Sequence, residues 1–80
     1  MQEAEIYAAL TEIFREVFMR DDITLHPGLS AADLKDWDSY KQVEIIISVE
    51  DRYGIKFHTR ELDTLANVGD LVRVVMARAK

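Results

Sequence analysis

The chain has 80 residues, of which 49% are apolar, and a formal net charge of −5. That length sets a single domain, residues 1–80, and the apolar content is too high for a disordered tail. The acidic balance argues against nucleic acid as a partner, because such binding rests on neutralising phosphates with Lys and Arg. With no cysteine, neither disulfides nor thiolate metal sites hold the chain together.

The N-terminal segment Met1-Gln2-Glu3-Ala4-Glu5 is acidic where a secretion signal is basic and then apolar, so a cytoplasmic location is expected. No apolar run approaches the roughly 20 residues that span a bilayer, so no membrane span is expected. Ile6, Leu10, Ile13, Phe14, Val17 and Phe18 recur at helical spacing and predict an amphipathic first helix from about Glu3 to Met19. No glycine marks its end. His26-Pro27-Gly28 signals a turn, and from about Arg20 to Asp38 no long periodic segment appears. Ser30-x-x-Asp33 can open one helical turn that carries Leu34 inward. So long a connection in so small a domain is either functional or wrapped on the core.

Asp38 and Ser39 are both good N-caps, and a second helix should begin at one or the other. Val43, Ile46, Ile47 and Tyr53 set its apolar side, widened by Ile45 and Val49. Gly54 stops it, and Ile55 falls where a Schellman motif places its apolar contact. Thr59 can cap a short helix from Arg60 to Leu65. Asn67 can cap a last one from Val68 to about Arg78, with Leu71, Val72, Val75 and Met76 inward. Asp70 near its start and Arg73, Arg78 and Lys80 toward its end suit the helix dipole. The expected fold is all-α: three main helices, one short helix and a long first loop.

Little in the residues suggests catalysis. His26 and His58 have no third group spaced to orient either as a base for a serine, and none of Ser30, Ser39 and Ser48 sits in a Gly-x-Ser-x-Gly elbow. Asp33, Asp36 and Asp38 crowd the loop without the mid-loop glycine and terminal glutamate of a calcium site. No catalytic residue and no metal ligand is therefore expected. The informative stretch is Asp38-Ser39-Tyr40 and the apolar, acid-flanked run after it. It puts a hydroxyl at the tip of a rigid element, where exposed backbone N–H groups and the positive end of the helix dipole favour a phosphate. That suits a serine that is modified and read by other proteins.

Asp38-Ser39, then Val43-Glu44-Ile45-Ile46, then Glu50-Asp51-Arg52-Tyr53-Gly54-Ile55 resembles the acyl carrier proteins: an Asp-Ser-Leu motif, an apolar helix with an acidic tail, an aromatic, a turn and an Ile. Asn67-Val68-Gly69-Asp70-Leu71 resembles that family's Thr-Val-x-Asp-Leu. The resemblance covers nearly the whole chain, is specific from Asp38 to Ile55, and implies a four-helix acyl-carrier-like bundle. It implies that Ser39, with Asp38 beside it, receives covalent 4′-phosphopantetheine from coenzyme A through a phosphopantetheinyl transferase. The arm's thiol would carry an acyl group as a thioester. Further implied partners are an acyl-activating or loading enzyme and a ketosynthase or acyltransferase, served by a monomer.

The partner-binding positions implied by the resemblance are Tyr40, Val43, Glu44, Ile47, Glu50 and Asp51. From the residues alone, Val43 and Ile47 remain open between core and docking surface, and the acids between a solvated face and steering of basic partners. Several positions depart from the family. Asp36 stands for a usual glycine, Trp37 for a small residue, Tyr40 for leucine, Lys41 for a frequent acid and His58 for proline. These departures point to a specialised fatty-acid or polyketide-type pathway. A D-alanyl or other aminoacyl carrier, and a helical interaction module that is never modified, remain as alternatives.

Overall fold

A computed structural model describes residues 2–78, and within them four helices and no strands. They are α1 (Glu3–Phe18), α2 (Ser39–Tyr53), α3 (Thr59–Asp63) and α4 (Val68–Arg78). Met1, and the Lys80 assigned to the end of the last helix, lie outside the described residues.

The first helix is the hub, with α2 and α4 both packed on it. Its buried stripe holds Ile6, Leu10, Ile13, Phe14, Val17 and Phe18, the set read from the 3.6-residue period, together with Ala9. Ile45, Ile46 and Val49 of α2 and Val68, Leu71, Val72 and Val75 of α4 complete the core. Met76 was expected inward and is instead 42% exposed. It lies one residue past Val75, about 100° further around the helix, beyond the edge of the buried stripe.

The first helix ends at Phe18 through a left-handed Met19 (φ 55°), with the Arg20 N–H donating to Arg15 O at 3.0 Å. That is a Schellman closure made without glycine. Lys41 Nζ donates to Val17 O, one of the last carbonyls of α1, at 3.2 Å, and Arg15 donates to Ile23 O of the following connection. Lys41, read as a weakening of the acidic face, thus fastens the start of α2 to the end of α1.

The long connection is wrapped on the core. Ile23 and Leu29 join the buried core, and Leu25, Leu34 and Trp37 pack against that core. One turn does form at Ser30–Asp33, where the Ser30 N–H donates to Asp33 Oδ2 at 3.0 Å. The connection also caps α4: Leu29 O accepts from the Val68 N–H at 2.8 Å, and Pro27 O from the Gly69 N–H at 2.9 Å. Two donors that every helix start leaves unsatisfied are met from 39 and 42 residues upstream in the chain. A Cβ at Gly69 would lie 3.0 Å from Pro27 O, so only glycine admits this approach without a shift.

The remaining caps are local. Asn67 Oδ1 accepts from the Asp70 N–H at 2.9 Å, while Asp70 Oδ2 accepts from the Ala66 N–H. Gly54 is left-handed (φ 65°), and the Ile55 N–H returns to Glu50 O, as the Gly54-Ile55 pair predicted. The short helix differs from expectation. His58, not Thr59, is its N-cap, with its N–H donating to Glu61 Oε1 at 2.9 Å, and the helix stops at Asp63 rather than Leu65. Glu61 stands three residues after His58, which sets the frame of the turn. An Arg78–Glu61 ion pair of 3.1 Å joins α3 to the end of α4.

Candidate functional site

The approach to Ser39 is built by three consecutive residues. Trp37 is half-buried, its ring edge-on to Phe14 with centroids 5.2 Å apart. Asp38 is the N-cap of α2, extended in backbone, with Oδ1 accepting from the Lys41 N–H at 2.9 Å. Ser39 is the first helical residue and is exposed. Of the three serines, Ser30 and Ser48 are half-buried, one in the loop and the other inside α2; Ser39 alone stands out in solvent. Asp38→Ala should therefore cost about 1 kcal/mol, the usual value of an N-cap. This is measurable as a lower urea midpoint with unchanged slope; an unshifted midpoint would mean that the cap adds nothing.

The first turn of α2 is suited to a phosphodiester. The N–H groups of Ser39 and Tyr40 have no acceptor among the described residues, whereas that of Lys41 is taken by Asp38. Two free donors at the positive end of a 15-residue helix favour an anion. The Asp36 and Asp38 carboxylates oppose part of that benefit. Beside Ser39 lies an open groove of about 420 Å³, with Asp38, Ser39 and Gln42 on one side and Trp37, Leu62 and Leu65 among its apolar walls.

The other positions singled out in the sequence fall on α2 with distinct roles. Tyr40, Val43 and Ile47, at i, i+3 and i+7, form one outward stripe, with Val43 55% and Ile47 52% exposed. These two are surface, which settles the choice between core and exterior and corrects the expected phasing: Ile45, Ile46 and Val49 face inward. Glu44 is half-buried and Asp51 exposed. Glu50 is half-buried, and its Oε2 accepts from the Phe57 N–H at 2.8 Å, holding the segment before α3 against α2. His26 and His58 are exposed, in the first connection and at the N-cap of α3. No cluster of three or more His, Asp or Glu side chains arranged for a metal ion occurs among the described residues. Sequence reasoning passed over Gln42, which pairs with Trp37 through a 2.7 Å hydrogen bond; the five-residue spacing gives no periodic signal for it.

A four-helix bundle with an exposed serine at a helix tip, beside a groove and an outward apolar stripe, fits a carrier of a covalently attached group. Residues 8–75 match the family described as the phosphopantetheine attachment site, and the chain belongs to that family. It is 38% identical over 73 residues to the meromycolate extension acyl carrier protein of Mycolicibacterium aurum, covering 91% of this chain and 75% of that one. It is 32% identical over 72 residues to an acyl carrier protein of Acidothermus cellulolyticus, covering 90% and 86%. The solution structure of a holo acyl carrier protein from Geobacter metallireducens superposes with a TM-score of 0.86 at 46% identity, covering 90% of this chain and 83% of that one. The chain is an acyl carrier with the family's covalent 4′-phosphopantetheine as its prosthetic group. None of its described helices is long and apolar enough to cross a membrane.

Proposed function

We propose that Ser39 is the attachment residue and that the chain carries fatty-acyl intermediates in a specialised chain-extension system. The observation that carries the assignment is the position of Ser39: the one exposed serine, at the first residue of α2, with two unpaired N–H groups beside it. A transferase would bring the Ser39 hydroxyl to the β-phosphate of coenzyme A. The new bond joins Oγ to that phosphorus, the pyrophosphate bond breaks, adenosine 3′,5′-bisphosphate leaves, and the hydroxyl proton goes to a base of the transferase. When bound, the arm supplies the thiol that the cysteine-free chain lacks and holds the acyl group as a thioester.

The chain itself does no chemistry in this reading. It raises the effective concentration of a tethered substrate at partner active sites. Those partners are the transferase, a loading enzyme, and a ketosynthase or acyltransferase of the cytoplasm. Their docking face is the stripe Tyr40, Val43 and Ile47, flanked by Glu44 and Asp51 and turned to basic surfaces by the net charge of −5. The specialised system is supported by the likeness to carriers named for meromycolate extension and by the departures at Asp36, Trp37, Tyr40 and Lys41. The acyl names of the matched relatives favour this reading over an aminoacyl one.

The test is intact mass before and after incubation with coenzyme A, Mg²⁺ and a broad-specificity phosphopantetheinyl transferase, followed by peptide mapping. The expected result is a gain of one phosphopantetheine on the peptide containing Ser39. A gain mapped to another residue, or none beside a control carrier that is modified, would overturn the assignment.

A further inference from the structure

The residue two before Ser39 has two unlike halves, each engaged. The ring of Trp37 meets Phe14 at an interplanar angle of 87° and Phe18 at a centroid distance of 6.2 Å, which fixes it to the core side of α1. Its Nε1–H donates to Gln42 Oε1 at 2.7 Å. An indole N–H can only donate, so the orientation of the Gln42 amide is chemically determined. One bond therefore closes a short ring of chain, from residue 37 to residue 42, with Ser39 inside it. Gln42 also lies one turn beyond Ser39 on the same face of α2, and both border the groove.

We propose that Trp37 and Gln42 form a latch that positions Ser39 to receive the arm; the inference rests on the assignment of Ser39 as the attachment residue. The first turn of a helix lacks half of its backbone bonding and frays readily. Ahead of this one lies a connection, 20–38, with no regular secondary structure of its own. A transferase that met a frayed tip would have to order it on binding, and that ordering weakens association. The latch makes the order part of the folded state, anchored through the Trp37 ring to Phe14 and Phe18. Both residues act through Ser39, as positioning residues.

The test uses the unmodified chain and three variants: Trp37→Phe, which keeps an aromatic ring and loses the N–H; Gln42→Leu, which loses the acceptor; and the double variant. Arm transfer is followed by mass at a temperature where all are folded. Each single variant should raise the transferase KM for the chain roughly three- to tenfold, the range of one net hydrogen bond, with kcat kept. The double variant should be no worse than either single one, because both remove the same bond. The chain has one tryptophan, so its indole N–H is a single NMR signal, and hydrogen exchange there should quicken in Gln42→Leu. A KM unchanged in both single variants, losses that add in the double variant, or equal exchange in wild type and Gln42→Leu would overturn the latch. If the wild type is loaded on Ser39 and only these readouts fail, the latch alone falls. If the wild type takes up no arm, the attachment assignment falls first.

Discussion

Ser39→Ala is expected to fold as the wild type does and to take up no phosphopantetheine at all. The two halves of this result have separate causes. The hydroxyl is exposed and makes no hydrogen bond among the described residues, while capping of α2 belongs to Asp38. Removing it should change stability by less than about 0.5 kcal/mol, as for an ordinary surface substitution, and alanine is the better helix former. Uptake should vanish because no nucleophilic oxygen is left at that position. Ser30→Ala and Ser48→Ala should be loaded normally, since both serines are half-buried. Intact mass and a urea titration on the same preparations check the prediction. Loading that persists in Ser39→Ala would move the site to another hydroxyl, and a large loss of stability would make Ser39 a structural residue.

Local signals were legible in the sequence, and signals from distant parts of the chain were not. Gly54 and Asn67 cap the helices that the sequence assigned to them, and Asp38, one of the two residues read as able to start α2, is its N-cap, because a cap is decided within four residues by a side-chain acceptor or a left-handed backbone. The buried face of α1 was equally plain, since six apolar residues recur at one period. Met19 shows the limit: a methionine in the left-handed region carries no sequence mark, and it adopts that region because the Arg20 N–H reaches Arg15 O. Thr59 and His58 could each begin α3, and Glu61 decided for His58 by reaching back to its N–H.

The faces of α2 were harder to read. Its apolar residues from Val43 to Val49 cover more than one side, so periodicity alone does not say which side meets α1. The tertiary partners decide, and they bury Ile45, Ile46 and Val49. The same holds for three polar groups. Glu50 holds the Phe57 N–H, Lys41 holds Val17 O, and Gln42 holds Trp37, each over a sequence separation that no short pattern encodes. Family resemblance singled out Ser39 in the sequence; the groove beside it and the Trp37–Gln42 hydrogen bond are seen only in the structure.

The rotation of α2 decides which side chains partners can touch, and two isoleucines two residues apart measure it. Ile45 is fully buried, whereas Ile47, about 200° around the helix, is 52% exposed. Ile45→Ala should cost about 2–5 kcal/mol through lost burial and the cavity left behind. At about 0.05–0.15 kcal/mol per residue, a domain of this size has a total stability on the order of 4–12 kcal/mol. The variant should therefore lose much of its denaturation midpoint and can be partly unfolded at 37 °C. Ile47→Ala should shift the midpoint by less than about 0.5 kcal/mol. In the reading of α2 as the docking face, it should also raise the KM of partner enzymes for the loaded carrier while leaving their kcat in place, as removal of uniform binding does. Urea titrations of the two variants side by side settle the rotation. Equal losses, or a larger loss at Ile47, would turn α2 by half a revolution and carry the outward stripe of Tyr40, Val43 and Ile47 away from solvent.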